Sequence, residues 1–358
     1  MTKGVTNRAR AVLVDGLQYC NWSEKIFRQM REGGLDAIHV TVCYHENFRE
    51  TVDNLVGWNE RFERFSDLIM PGRTSADIDL ARTRNKTAIF FGLQNCSAIE
   101  GNIGLIEIVH GLGVRVMQLS YNNQSLLASG CYEPEDTGIT RMGLEVIREM
   151  NRVGIAVDMS HSGERSTLEA IETSERPVTV THSNPAAWHK VPRNKSDRVL
   201  DALARSGGMV GLSLYPHHLK DGSACTLQSF CEMAGRLAER IGAENIGIGS
   251  DLCQDQPDSV VEWMRKGRWT KPNGDYEPVT FPPQPAWFRD NRDFARLQFG
   301  LSAAGFSQEE IDGILGLNWY RYFAKSFGPR RDNNAEVSAD AVSAPMNRKN
   351  ESHEAGAP

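Results

Sequence analysis

Eight short apolar runs, each followed by a helical stretch, set the tightest limit on how this chain folds. They are AVLVDG (from Ala11), AIHVTVCY (from Ala37), AIFFGLQN (from Ala88), VRVMQLSY (from Val114), IAVDMSH (from Ile155), VTVTHS (from Val178), MVGLSLY (from Met209) and IGIGSD (from Ile246). Most are dominated by apolar residues rather than by the strict alternation of a strand wet on one face. Unbroken apolar runs belong to parallel strands covered on both faces. Helical stretches separate them, among them Ser23 to Arg31, Asn47 to Ile69, Thr140 to Val153 and Leu227 to Ile241, and glycines close several. Eight strand–helix units predict a (β/α)8 TIM barrel. We expect a single domain over residues 1–327, with an insertion after the eighth strand at about 253–299. That insertion carries Trp263, Trp269, Phe281, Trp287 and Phe288 among prolines, so a packed excursion and a cover over the barrel mouth are both open readings. Residues 328–358 are polar and rich in small side chains, the composition of a disordered tail.

Parallel-sheet enzymes place their chemistry at strand C-termini. Here the fifth run ends in His161, the sixth in His182 and the eighth in Asp251. Two imidazoles and a carboxylate on neighbouring strands point to metal-assisted hydrolysis, although capping of strand ends explains a single such residue equally well. Tyr19, Gln94 and Tyr121 close other strands, and His45, Cys20, Cys96 and Cys253 lie nearby as further donors. Asp158 falls mid-strand, where a structural hydrogen-bonding role is expected. The net charge of −6 offers no basic face for nucleic acid. No apolar run reaches the roughly 18 residues of a membrane helix, and the N-terminus lacks an apolar leader core. Seven scattered cysteines without a CxxC pair suit free thiols in a reducing cytoplasm. A homodimer is compatible with all of this.

The stretches FGLQNCSAIEGNIG, GLEVIREMNRVGIAVDMSH, THSNPAAWHKVPRN, IGIGSD and GLNWYRYF resemble the membrane dipeptidase family of metallopeptidases, in the amidohydrolase superfamily, from about Val14 to Phe323. Through VDGL, GCYE and PRNKSD the chain is similar to bacterial dipeptidase-like proteins associated with methylated-amine catabolism. The resemblance implies a metallo-dependent hydrolase barrel in which His161 and His182 are metal ligands, Asp251 is the strand-eight acid and Arg193 binds the substrate carboxylate. It also implies departures. Leu17-Gln18-Tyr19 stands where the family has a His-x-Asp pair, Gln94 where it has the bridging Glu, and Tyr121 where it has a His. A two-metal site is therefore not expected. One zinc on His161 and His182, completed by Gln94 and water, would leave Asp251 as general base, with Tyr19 and Tyr121 beside the substrate. That chain would be a dipeptidase-like hydrolase of a small carboxylate-bearing dipeptide or amide. The alternative is a metal-free member that binds such a metabolite, or transforms it by proton transfer through Tyr19, Tyr121 and Asp251.

Overall fold

The computed structural model describes residues 11–271, 277 and 279–328. Nine parallel strands form its sheet: β1 (Val14–Gln18), β2 (Ala37–Cys43), β3 (Ile69–Gly72), β4 (Thr87–Leu93), β5 (Val114–Gln118), β6 (Ala156–Asp158), β7 (Thr179–Val180), β8 (Met209–Leu212) and β9 (Ile246–Ile248). β1 pairs with both β2 and β9, and β2 pairs with β4, so eight strands close into a barrel and the TIM-barrel expectation holds. β3 is the ninth and was not foreseen. It starts at Ile69, the last residue of the stretch read as one helix from Asn47, and that helix is Phe48–Arg64. β3 pairs with β4 at Thr87 to Phe90, and β5 takes the same edge from Phe91. A four-residue strand containing Pro71 carries too little apolar pattern to be seen against the helix before it.

The barrel interior is filled by a side chain from the far end of the sequence. Trp319 is fully buried, and its Nε1 donates to the Ile248 carbonyl at 2.8 Å. A Cβ on Gly16 would come within 2.6 Å of this indole, and one on Gly247 within 2.3 Å. Glycines on β1 and β9 thus make room for a plug that no strand residue supplies. The C-terminal helical segment is broken accordingly, into Gln308–Asp312, a wide turn at Gly313–Leu317 and Asn318–Ser326. The expected tail lies outside the described residues, apart from Gly328. Among the described residues no helix is long and apolar enough to cross a membrane. All seven cysteines are unpaired.

Candidate active site

The expected site residues meet at one end of the barrel. Tyr19, Gln94, Tyr121, His161, Arg193 and Asp251 line a single cavity of about 20 Å³, together with Tyr215, His218, Met264 and Arg265. His182 stands behind His161, the two Nε2 atoms 3.0 Å apart. Close backbone approach makes this possible. A Cβ on Gly249 would meet the Thr181 carbonyl oxygen at 1.7 Å, so only glycine lets the end of β9 lie against the end of β7. Two residues on, Asp251 adopts a left-handed backbone (φ 58°), which turns its carboxylate into the mouth.

Each imidazole is oriented from behind. His161 Nδ1 lies 2.7 Å from Asn122 Oδ1, an acceptor, so Nδ1 carries the proton. His182 Nδ1 lies 2.8 Å from Thr181 Oγ1. That hydroxyl donates its one proton to Asp158 at 2.5 Å and therefore accepts from His182. Asp158 also accepts from the Ser160 and Thr181 amides and from the Ser160 hydroxyl, which makes it the structural anchor of both strand ends. The consequence is that both Nε2 lone pairs face one another.

Arg193 answers them. The loop after β7 folds back on itself, with Lys195 N bonded to Asn184 O and Ala186 N to Lys195 O, and lays Arg193 across the strand ends. Its guanidinium donates through Nη1 to the Ser160 carbonyl, and through Nη2 to the His182 carbonyl (3.3 Å) and to His161 Nε2 (3.1 Å). The residue is only 2% exposed. Burial, Arg193 and the neighbouring imidazoles hold His161 well below the usual imidazole range, and burial with Arg193 does the same for His182. Both are neutral at physiological pH. Burial pushes the Asp251 carboxyl up to about 7, against the pull of Arg193 and Arg265. Burial also brings nearby Lys195 down to about 8, its Nζ held by the Ser162 carbonyl at 2.7 Å.

The zinc expected on His161, His182 and Gln94 fits the chemistry of these residues poorly. Among the described residues no three His, Cys, Asp or Glu side chains come together in a way that could hold a metal. Gln94 directs its amide nitrogen to Thr41 Oγ1 at 2.6 Å, and His45 Nε2 faces the Met264 carbonyl. The two imidazoles offer no negative charge, and a guanidinium is bonded to one of them. At an effective dielectric of 20, a dication about 4 Å from that guanidinium meets roughly 8 kcal/mol of repulsion, against about 10–16 kcal/mol for complete structural zinc sites.

Four contributors escaped sequence reasoning. Tyr215 and His218 follow β8, where the signal was the pair His217-His218 just past the strand; His218 Nδ1 is 4.0 Å from Asp251 Oδ2. Met264 and Arg265 lie on the helix Asp258–Lys266 of the 253–299 insertion, which covers the mouth. Val261 and Met264 pack there against Tyr19, Tyr121 and Tyr215. The Tyr121 ring stacks on His161 at 4.1 Å, and Tyr44 meets both Tyr19 and Tyr121 edge-on. Leu17 is fully buried. Beyond Tyr121 and His45 opens a second cavity of about 480 Å³, with Ile99, Leu126, Leu127, Met142 and Trp269 in its walls.

Residues 23–263 match the model of the membrane dipeptidase family, peptidase M19. Dipeptidase tcpJ of Claviceps purpurea is 29% identical over 80% of this chain and 61% of its own length. Dipeptidase verJ of Clonostachys rogersoniana is 30% identical over 60% and 55% respectively. The chain thus matches little more than half the length of these curated relatives. Among solved structures, an amidohydrolase from Pseudomonas aeruginosa is 35% identical with a TM-score of 0.84, covering 88% of this chain and 97% of its own. A metallo peptidase from Rhodobacter sphaeroides, liganded with a phosphinate mimic of the dipeptide L-Ala-D-Ala, shares the fold at 18% identity and a TM-score of 0.72, covering 89% of this chain and 100% of its own.

Proposed function

This chain belongs to the membrane dipeptidase family, peptidase M19, and we propose that it hydrolyses a small carboxylate-bearing amide or dipeptide-like substrate at the barrel mouth. The observation that carries the reading is Asp251. It is a buried carboxylate pushed up to about 7, flanked by two guanidinium groups at the closed end of the cavity. A group poised at that pH takes a proton from an attacking water and returns it to the leaving amine with little penalty either way. Arg265 lines the same cavity, bonded to Tyr215, and offers a planar fork to the substrate carboxylate. Arg193, tied to two carbonyls and to His161, contributes positive charge rather than a free fork. A neutral imidazole pair bonded to a guanidinium fits zinc poorly, so no step here is routed through it.

The cavity of about 20 Å³ holds about one water, so a substrate enters only if the Asp258–Lys266 helix moves outward. Its side chain then has the 480 Å³ cavity beyond Tyr121 to occupy. Burial raises Tyr19 and Tyr121 above the ordinary phenol range, so both stay protonated and act as donors, not bases. This weighs against proton-transfer chemistry run by tyrosinates. The unpaired thiols support placement in the cytoplasm. The test is a panel of dipeptides and N-acyl amino acids with amine release as readout. Wild type should cleave at least one and Asp251→Asn none; a wild-type protein inert on every carboxylate-bearing amide would end the hydrolase reading.

A further inference from the structure

We infer that Arg193 is the resident cation of the His161–His182 pair, holding the place a metal ion takes in a metallopeptidase and keeping metal out. The argument starts from the two lone pairs. With both Nδ1 protons committed to Asn122 and to Thr181, the facing Nε2 atoms at 3.0 Å have no proton to share. Two acceptors this close repel unless a positive group answers them. The group that does so is a guanidinium, whose Nη2 lies 3.1 Å from His161 Nε2.

Arg193 is not a surface side chain that has fallen inward. Its own carbonyl accepts from Ser183 Oγ at 2.7 Å, which fixes the backbone from which it reaches. Its fork satisfies the carbonyls of Ser160 and His182, the residues at the ends of β6 and β7. Moving the side chain out to admit a metal would orphan both carbonyls and the imidazole at once, each a buried group costly to leave unmade. Lys195, 3% exposed and two residues on, adds a second positive charge nearby. The surroundings therefore oppose a dication by both charge and bonding.

Removing Arg193 should uncover a latent zinc site. Zinc binding would be measured by calorimetry and elemental analysis on four full-length proteins: wild type, His161→Ala, Gln94→Glu, and Gln94→Glu with Arg193→Met. Gln94→Glu supplies an anionic third ligand in the same cavity, and Met keeps the buried volume without charge. The double variant should bind zinc at least a hundredfold more tightly than Gln94→Glu alone. Wild type should carry no zinc that His161→Ala removes. Either equal affinity with and without Arg193, or a stoichiometric zinc in wild type that disappears in His161→Ala, would overturn the inference. A stoichiometric, His161-dependent zinc in wild type would overturn the inference even if the double variant does not fold, and none of these readouts depends on turnover.

Discussion

Replacing Asp251 by Asn should make the protein more stable and inactive, and the size of the gain should depend on pH. The backbone permits the exchange, because Asn tolerates the left-handed conformation that Asp251 adopts. In the folded chain the carboxyl holds its proton up to about 7, whereas unfolded it releases it near 3.8. The folded state therefore binds the extra proton throughout that interval, and wild-type stability falls as pH rises from about 4 to about 7. Above 7 the whole difference is felt. A rise from 3.8 to about 7, at about 1.4 kcal/mol per pH unit, is about 4 kcal/mol as an upper bound. At pH 5 only about 2 kcal/mol has been lost. Asn resembles the protonated acid, so Asp251→Asn should exceed wild type by about 2 kcal/mol at pH 5 and up to about 4 kcal/mol at pH 8, measured by urea denaturation. Turnover of a cleaved substrate should fall by two orders of magnitude or more at every pH, while wild-type kcat/KM should rise as the acid ionises around pH 7. A variant less stable than wild type at pH 8, or a gap that does not widen from pH 5 to 8, would refute the account of a carboxylate held at a cost for its chemistry.

Other expectations follow from single contacts. Arg265→Ala should raise KM about tenfold or more with kcat changed much less, as when binding common to ground and transition states is lost; a fall in kcat at unchanged KM would move Arg265 into the chemistry. Thr181→Val removes the hydroxyl between His182 and Asp158, leaves His182 Nδ1 without its partner and Asp158 one donor short, and should cost about 2–4 kcal/mol in urea denaturation. Trp319→Ala empties the barrel interior beside Gly16 and Gly247 and should cost about 3–5 kcal/mol, or prevent folding; a loss under 1 kcal/mol would mean the barrel does not rest on this plug.

The barrel was legible because its strands are buried on both faces, and eight short, mostly apolar runs alternating with helical stretches admit few other readings. The meeting of His161, His182 and Asp251 at one mouth followed from the same periodicity, since each ends a run. What stayed hidden depends on contacts distant in sequence. β3 exists because β4 leaves an edge free at Thr87 to Phe90, which nothing in IMPG announces. Arg265 sits in an aromatic and proline-rich insertion with no period, so its descent onto the mouth is set by Val261 and Met264 packing on Tyr19 and Tyr121. The contacts of Arg193, expected to bind a substrate carboxylate, stayed hidden for a similar reason. A sequence shows a guanidinium near a histidine but not that two backbone carbonyls at strand ends consume its fork.

The residues that differ from the family pattern make sense as one change of charge. By the resemblance, Leu17 and Tyr19 take the places of a His and an Asp, Gln94 that of a Glu, and Tyr121 that of a His. On that correspondence two formal negative charges are lost. In the folded chain the vacated side is walled by Tyr19, Tyr44 and Tyr121 in edge-on contact, and Leu17 is sealed in the core. On the other side Arg193 and Arg265 face Asp251. Metal-ligand cages gather negative charge around a cation, whereas this mouth gathers positive charge around space for an anion. The orienting scaffold of Asn122, Thr181 and Asp158 still holds the imidazoles as it would for a metal, but the partner it now presents them to is a guanidinium. On the proposed reading a carboxylate-bearing ligand would enter a field already set for it, with Asp251 as the acid lining the cavity that takes up the proton such chemistry releases.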